Sequence, residues 1–205
     1  MKSLYFVRHG QTEWNAISRM QGQWNSDLNE TGKNQAEING DFLSNHNIDV
    51  LLASPLDRTR QTAEIINQHL NLQVAYDDRI MEWDCGDWSG YLYSEVKVKW
   101  AEEWRQLEAN RFYYRGPNCE NYPDMISRSG PFLDELKARP ENNIAIVSHG
   151  MIGRVMVAQL LGFNEKQTLE FHQSNDVVFR VTLHENNVEV AHFVGGEGPF
   201  PGLVS

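Results

Sequence analysis

Two histidines in this sequence each follow a run of apolar residues and precede a glycine. Arg8 and His9 come directly after LYFV, and His149 and Gly150 end the segment NIAIVSHG. A third apolar run, DVLLAS, is followed within about one helical turn by Arg58. Imidazole can act as a nucleophile and carry a covalent intermediate, and guanidinium groups bind phosphate oxygens through two parallel hydrogen bonds. These residue types predict a phosphate pocket that contains a nucleophilic histidine.

Three buried strands would have to bring these residues together. The unbroken apolar runs at Leu4–Val7, Asp49–Ser54 and Asn143–Gly150 are typical of parallel strands that are covered on both faces. Ligands of such sheets bind outside the carboxyl ends of the strands. A buried cation needs a counter-charge, and no run of acids stands at these positions, so an anionic ligand is the simplest partner.

Helices alternate with these strands along the chain, which predicts an α/β fold. We expect a three-layer α/β/α sandwich with a mostly parallel central sheet and an antiparallel hairpin near the C-terminus. The segments that carry helical periodicity or alternation are the helices Thr31–Asn45, Asp57–Leu70, Asp124–Ala138 and Met151–Leu161, and the hairpin strands Asp176–Leu183 and Val188–Val194.

Residues 91–123 have a different character from the rest of the chain. Val96, Trp100 and Trp104 are spaced four apart, which places them on one face of a helix, and core packing is the favoured explanation. The following stretch, RFYYRGPNCENYP, is aromatic and basic and is interrupted by Gly and Pro. We predict one domain over residues 1–205, with 91–123 as a helical and irregular cap insertion. The terminal GGEGPFPGLVS is expected to be a surface excursion.

The composition limits the kinds of partner. The chain has 205 residues and a formal net charge of -10, which argues against nonspecific binding to nucleic acid or to an anionic membrane. No apolar run approaches the roughly 18 residues that a membrane-spanning helix needs. Cys85 and Cys119 have neither disulfide-framework nor zinc-site spacing. These features predict a cytoplasmic protein.

A phosphate-transfer site also needs a group that protonates the leaving oxygen. Glu82 and Asp84, in RIMEWDCGDWSG, both follow an apolar pair and precede Gly86, and Glu82, which stands beside Trp83, is the favoured candidate. A solvated loop carboxylate is the alternative explanation for this residue.

Four blocks of the sequence together resemble the motifs of the histidine phosphatase superfamily, also called phosphoglycerate mutase-like. They are VRHGQTEWN, SPLDRTRQTA, EWDCGDWSG and VSHG, in that order along the chain. The resemblance implies that His9 becomes phosphohistidine and that Glu82 protonates the leaving group. It implies that Arg8, Arg58 and His149 bind the phosphoryl oxygens and stabilise the transition state.

The resemblance also assigns residues that shape the pocket. Asn15 would help to position the phosphate, Gln21 and Gly22 would line the pocket, and Gly150 would let the main chain approach the phosphate. The cations supply the positive charge that Mg²⁺ often provides, so neither a metal nor another cofactor is expected. The other five histidines form no convincing ligand set and are interpreted as structural.

Phosphohistidine has two possible fates, which leaves two enzymatic hypotheses. Transfer to water makes a phosphatase, and transfer to a second substrate hydroxyl makes a cofactor-dependent phosphoglycerate mutase. The run after Glu82, WDCGDWSG, resembles the phosphatase branch, so a metal-independent phosphatase is favoured. A noncatalytic phosphate-binding module is the third hypothesis, and it is disfavoured because every catalytic position is filled.

The predicted substrate is a small phosphorylated metabolite, and the sequence leaves its identity open. Arg111 and Arg115 would favour a substrate with a second anionic group, although a solvated loop explains them at least as well. The segment VVFRVTL could supply an edge strand to a homodimer.

Overall fold

The computed structural model describes residues 1–204, which form seven strands and eight α-helices. Two short 3₁₀ helices, Asp78–Ile80 and Gly86–Trp88, lie between β3 and α4. The strands are β1 Lys2–Arg8, β2 Val50–Ala53, β3 Val74–Tyr76, β4 Asn143–Ser148, β5 Val177–Leu183, β6 Val188–Val194 and β7 Glu197–Pro201. The helices are α1 Glu13–Ala16, α2 Glu30–Ser44, α3 Asp57–Leu70, α4 Tyr93–Lys99, α5 Ala101–Ala109, α6 Tyr122–Ala138, α7 Gly150–Leu161 and α8 Glu165–Glu170.

All seven strands form one sheet in the order β3-β2-β4-β1-β5-β6-β7. The first four in this order are mutually parallel, and β5, β6 and β7 then alternate in direction. The register sets Arg8 opposite Ser148 and Ala53 opposite Val147. The carboxyl ends of β2, β4 and β1 therefore lie side by side at one edge of the sheet.

Helices cover both faces of the sheet, because the central strands are apolar on both sides. Leu4 and Phe6 of β1 pack in one core with α6 and α7, while Tyr5 and Val7 pack in a second core with α2 and α3. Leu4 to Val7 are all at most 4% exposed. The predicted three-layer α/β/α sandwich with a mostly parallel sheet is confirmed.

The predicted strands and helices outside residues 91–123 are present, with ends within two residues of those expected. The helix expected over Val96 to Trp104 is instead two helices, because the main chain leaves helical geometry at Trp100, with φ -123° and ψ 48°. This bend lets Trp100 pack edge-on against Tyr91 while Trp104 packs against Trp88. The core-packing interpretation holds, since Val96 is buried and both tryptophans pack on the core.

Two expectations about the C-terminal region are wrong. The tail is not a simple excursion, because residues 197–201 form β7 and pair with β6. The segment VVFRVTL is not an edge strand, because β5 pairs with β1 on one side and with β6 on the other. The homodimer stays a prediction, but β5 has no free edge to support it. Along residues 1–204, no helix is both long enough and apolar enough to cross a membrane.

Candidate active site

Three neighbouring strand ends form the floor of the site. Arg8 ends β1, Ser148 ends β4, and His9 and His149 follow them, while Ser54 follows β2. The His9 amide donates to the Ser148 carbonyl at 3.0 Å, and the Ser54 amide donates to Val147 at 2.9 Å. The two imidazole rings are 5.2 Å apart between centroids. The sheet register therefore brings the two sequence-predicted histidines face to edge.

The hydrogen bonds of His9 define its tautomer. Its Nδ1 lies 2.8 Å from the Gly10 carbonyl oxygen, which can only accept, so Nδ1 carries the proton. The Nε2 atom accepts a 3.2 Å bond from Nε of Arg58 and therefore presents a lone pair. The pKa of His9 lies well below its usual value. Burial is the largest cause, and the positive charges of Arg58 and Arg8 lower the pKa further. His9 is thus a neutral imidazole whose Nε2 lone pair can attack once it releases the bond from Arg58.

Arg58 is the most highly connected cation of the site and is 1% exposed. Its Nε also lies 3.2 Å from Nδ1 of His149, and its Nη1 and Nη2 each donate at 2.7 Å, to the carbonyls of Trp24 and Gly22. Burial lowers its pKa to about 10. The main-chain acceptors fix the guanidinium in position and leave further N–H groups for an anionic ligand, because a guanidinium has five donors.

Gly22 is required where it stands. Its φ is +51°, and a Cβ there would lie 2.5 Å from Sγ of Cys85 and 2.9 Å from the Cys85 main-chain nitrogen. A side chain would therefore displace either Cys85 or the carbonyl that holds Arg58.

His149 is buried and is tied to β2. Its Nε2 lies 2.8 Å from Oγ of Ser54, while Nδ1 faces Arg58. Burial, followed by the charge of Arg58, lowers the pKa of His149 well below its usual value. This ring is therefore neutral in the unliganded site.

Arg8 crosses the floor of the site and is only partly satisfied. Its Nη1 donates to the Gln173 carbonyl at 2.8 Å, while its buried Nε has no partner within the described residues. Burial lowers its pKa. Gly150 packs against the guanidinium, since a Cβ there would lie 3.3 Å from Cζ of Arg8. Gly150 is predicted to let the main chain approach the phosphate, and its lack of a side chain also leaves room for Arg8.

The Glu82 carboxylate contacts the first turn of α7 and lines the cavity. It accepts main-chain N–H bonds from Trp83 at 2.9 Å, Ile152 at 3.1 Å and Met151 at 3.2 Å. These three donors come from two segments and hold the carboxylate at the wall of the pocket, which is not the arrangement of a freely solvated loop acid.

Asn15 and Gln21 are both placed by Thr12. The Asn15 side chain accepts from the Thr12 amide at 3.2 Å as part of a capping box at α1. The Gln21 side chain accepts from the Thr12 hydroxyl at 3.1 Å. Both residues line the same cavity as the histidines.

The site is a cavity of about 350 Å³ that is lined by every sequence-predicted site residue except His149. His149 contacts Arg58 and His9, which do line the cavity. A second cavity of about 130 Å³ adjoins it, and Met20, Trp83, Tyr93 and Met151 line both. Over the described chain, no group of three or more His, Cys, Asp or Glu side chains is arranged to hold a metal ion. The first cavity is lined by Arg8, His9, Asn15, Ser18, Arg19, Met20, Gln21, Gly22, Arg58, Glu82, Trp83, Cys85, Tyr93, Gly150, Met151, Arg154, His172 and Gln173.

Gly10 allows α2 to approach the strand end that carries His9. A Cβ on Gly10 would lie 2.2 Å from the Gly32 carbonyl oxygen, and one on Gly32 would lie 2.0 Å from the Gln11 carbonyl. The glycine after the first histidine is therefore needed for backbone packing.

Arg128 lies outside the cavity and supports the loop that carries Glu82, a role that the sequence did not reveal. It lies on α6 and donates to the carbonyls of Arg79, Met81 and Glu82 at 2.9, 2.8 and 3.3 Å. It also pairs with Glu120 at 2.7 Å, and Glu120 in turn accepts from the Asp84 amide. No local motif marks Arg128, because the carbonyls it binds lie 46 to 49 residues away in sequence.

The two arginines expected to bind a second anionic group lie outside the histidine cavity. Arg115 forms a 2.7 Å ion pair with Asp124 and is exposed. Arg111 is exposed and lines the second cavity. Arg154 and Arg19, which the sequence analysis did not single out, line the main cavity instead.

Comparisons with known proteins agree on one family. The model of the histidine phosphatase superfamily (branch 1) matches residues 4–194. Phosphoserine phosphatase 1 of Hydrogenobacter thermophilus is 38% identical over 178 residues, which cover 85% of this chain and 83% of the relative. The probable phosphoglycerate mutase GpmB of Erwinia tasmaniensis is 36% identical over 183 residues, covering 88% of this chain and 85% of the relative.

A solved structure supports the same grouping. The structure of a mycobacterial glucosyl-3-phosphoglycerate phosphatase, in complexes with VO3, has a TM-score of 0.83 and 25% sequence identity. The match covers 93% of this chain and 97% of that chain. The similarity therefore extends over nearly the whole length of both proteins.

Proposed function

This chain belongs to branch 1 of the histidine phosphatase superfamily, and from that premise we propose that it hydrolyses small phosphomonoesters through a phosphohistidine at His9. The observation that carries the proposal is the fixed tautomer of His9, whose Nε2 lone pair faces the cavity floor beside Arg58. Three named relatives, two phosphatases and one mutase, act on phosphorylated metabolites according to their names.

In the first step, Nε2 of His9 attacks the phosphorus atom and the bond to the leaving oxygen breaks. Glu82 in its acid form gives its proton to that oxygen, so the product leaves as an alcohol. Arg8 and Arg58 bind equatorial oxygens, and Asn15 helps to position the phosphoryl group. His149 binds an oxygen once its Nδ1 carries a proton in place of the bond that it accepts from Arg58. Catalysis rests mainly on positioning and on electrostatic stabilisation of those oxygens.

In the second step, water attacks the phosphohistidine. Glu82 now takes a proton from the water, the N–P bond breaks, and inorganic phosphate forms while His9 returns to neutral imidazole. The two arginines supply the positive charge, so the proposed reaction uses neither a metal nor another cofactor.

We assign the site to a single domain over residues 1–205, with 91–123 as a cap. Helices α4 and α5 and the segment after them form one wall of the second cavity, through Tyr93, Trp104, Leu107 and Tyr114. We also place the protein in the cytoplasm, where a reducing environment suits its buried free cysteines, Cys85 and Cys119.

Hydrolysis of p-nitrophenyl phosphate between pH 4 and 9, with EDTA present, tests the proposal. Wild type should release phosphate, His9→Ala should not, and His192→Ala, on β6, should behave like wild type. Acid-labile, base-stable labelling of wild type by a ³²P-phosphomonoester would identify the phosphohistidine. Activity that EDTA abolishes, or that survives in His9→Ala, would contradict the mechanism.

A cofactor-dependent phosphoglycerate mutase is the second candidate, because a probable phosphoglycerate mutase is 36% identical to this chain. The two functions differ in whether water or a substrate hydroxyl receives the phosphoryl group. The test is to supply 3-phosphoglycerate with a bisphosphoglycerate primer and to follow both 2-phosphoglycerate and free phosphate. Isomerisation faster than phosphate release would favour the mutase.

A further inference from the structure

The charge of the main cavity exceeds what one phosphate requires. Four arginines line it, and Glu82 is the one carboxylate among its lining residues. Arg8 and Arg58 lie beside the histidines and serve the transferred phosphoryl group. Arg19 donates to the Gly90 carbonyl and lies over the ring of Trp14, so its guanidinium already has partners within the protein. Arg154 is the fourth arginine of the cavity, and the proposed reaction gives it no role.

Arg154 lies on α7, one turn after Gly150, and its guanidinium is poorly satisfied. Its Nη1 donates to the Tyr122 hydroxyl at 3.0 Å, and its buried Nε has no partner among residues 1–204. No carboxylate of the described chain lies within the 4.0 Å of an ion pair with it. Its charge is near enough to Arg8 to lower the pKa of that group.

Tyr122 is held rigidly beside this cation. The residue is 4% exposed, and its ring stacks on Phe112 with centroids 5.0 Å apart. Its hydroxyl oxygen accepts the bond from Arg154, so its own proton remains to be donated. Arg154 lines the main cavity and Tyr122 lines the second one, so the pair lies at the junction where a leaving group would pass.

A purely structural role for Arg154 leaves its buried N–H unexplained. Arg154 is partly exposed, so water solvates part of its guanidinium, but the buried Nε–H has no partner and the nearby charge of Arg8 repels the cation. An anionic oxygen group would satisfy both the free N–H of Arg154 and the free proton of Tyr122.

We propose that Arg154 and Tyr122 form a second anion subsite, which binds a carboxylate or a second phosphate on the leaving group of the substrate. This inference rests on the proposed function and deepens it. The preferred substrates are then phosphomonoesters whose alcohol part is itself anionic, and Arg154 and Tyr122 determine specificity at this subsite.

Matched substrates that differ only in the second anion test this inference. The pairs are 3-phosphoglycerate against glycerol 3-phosphate, phosphoserine against phosphoethanolamine, and fructose 1,6-bisphosphate against fructose 6-phosphate. Wild type should favour the doubly anionic member of at least one pair about tenfold or more in kcat/KM. The first two pairs report a carboxylate, and the third reports a phosphate.

Arg154→Met should remove most of that preference, chiefly by raising KM for the anionic member about 10- to 100-fold, the range expected for a hydrogen-bonded charge. Arg154→Lys should restore part of it. Tyr122→Phe, which keeps the buried ring, should weaken binding of the anionic member several-fold and gives an independent result if Arg154→Met does not fold. Arg111→Met removes the same charge from an exposed position and should leave the preference intact.

Several results would overturn the inference. They are equal kcat/KM for both members of every pair in wild type, a preference that survives in Arg154→Met and Tyr122→Phe, and a preference lost in Arg111→Met instead. Turnover of p-nitrophenyl phosphate separates these failures from failure of the proposed function. Wild type that hydrolyses it without preferring an anionic substrate refutes the subsite alone, and wild type that hydrolyses nothing refutes both.

Discussion

Replacing Arg128 by methionine should lower kcat most for substrates whose leaving oxygen must be protonated by Glu82. Substrates with a good leaving group should be affected much less. Arg128 never reaches the cavity, but its guanidinium binds the main-chain carbonyls of Met81 and Glu82 and the carboxylate of Glu120. Methionine has similar length and no donor. The loop that carries Glu82 would lose its attachment to α6, while the bonds from α7 to the Glu82 carboxylate would remain.

The cost in stability can be worked from these contacts. Three bonds to carbonyls are lost, each about 0.5–1 kcal/mol because water still reaches the group. The Arg128 and Glu120 side chains are 19% and 21% exposed, so their ion pair is screened and adds about 1 kcal/mol. We expect Arg128→Met to lower the free energy of unfolding by about 2–4 kcal/mol, measured by urea denaturation.

The catalytic effect should depend on the leaving group. Displacing a catalytic group by about 1 Å can cost about 100-fold in rate, and an alkoxide needs protonation far more than nitrophenolate does. We therefore expect kcat to fall about 10- to 100-fold for an alkyl phosphate and less than about threefold for p-nitrophenyl phosphate. Arg79→Met is the matched control, because Arg79 pairs with Asp77 and Glu135 nearby and its side chain does not bind the Glu82 carbonyl. An equal loss for both substrates, or the same pattern in the control, would refute the reasoning.

Three further predictions concern the packing, titration and reactivity of the site. Gly10→Ala should destabilise the protein by more than about 2 kcal/mol, because its Cβ would lie 2.2 Å from the Gly32 carbonyl; chemical denaturation within 1 kcal/mol of wild type would contradict this. The lowered pKa of His9 keeps the imidazole neutral into mildly acidic solution, so the acidic limb of kcat/KM should lie below pH 6.5; a limb at or above that pH in a pH–rate profile would be inconsistent. Burial raises the pKa of Cys85 well above its usual value and that of Cys119 to about 12, so iodoacetamide at pH 8 should label neither thiol in the native protein and both in urea; rapid labelling of the native protein would count against their burial.

The sequence predicts the fold and the site best where a local pattern of residues also determines where those residues lie in the fold. Unbroken apolar strands, ending in Arg8-His9 and in Ser148-His149, predict both the parallel sheet and the edge where the histidines meet. Helix α3 has the bounds that its periodicity predicts, and its apolar residues Ala63, Ile66 and Leu70 pack in one core.

Sequence reasoning failed where a contact depends on a distant partner. Nothing near Arg128 shows that it binds carbonyls before α4, and nothing near Arg154 shows that its Nε remains unpaired. The helix break at Trp100 also escaped detection, because the spacing of Val96, Trp100 and Trp104 suits a continuous helix while aromatic packing favours a bend. Strand β7 carries two prolines and a glycine and is flanked by Gly195, Gly196 and Gly202, which hides its pairing with β6.

The placement of Arg58 explains how such a site can be ready before substrate arrives. Its position is fixed by the carbonyls of Gly22 and Trp24, so the bonds that orient the cation do not have to be exchanged for substrate oxygens. The same guanidinium directs one N–H at both imidazoles, and its charge adds to burial in lowering the pKa of both rings. The bond to Nε2 of His9 has to be released when that atom attacks. Charge stabilisation that needs no rearrangement at the moment of reaction is the most effective kind. Gly22 therefore contributes to catalysis through its main chain, because its carbonyl holds Arg58 in place. Cys85 leaves room for this main-chain conformation only while residue 22 has no side chain.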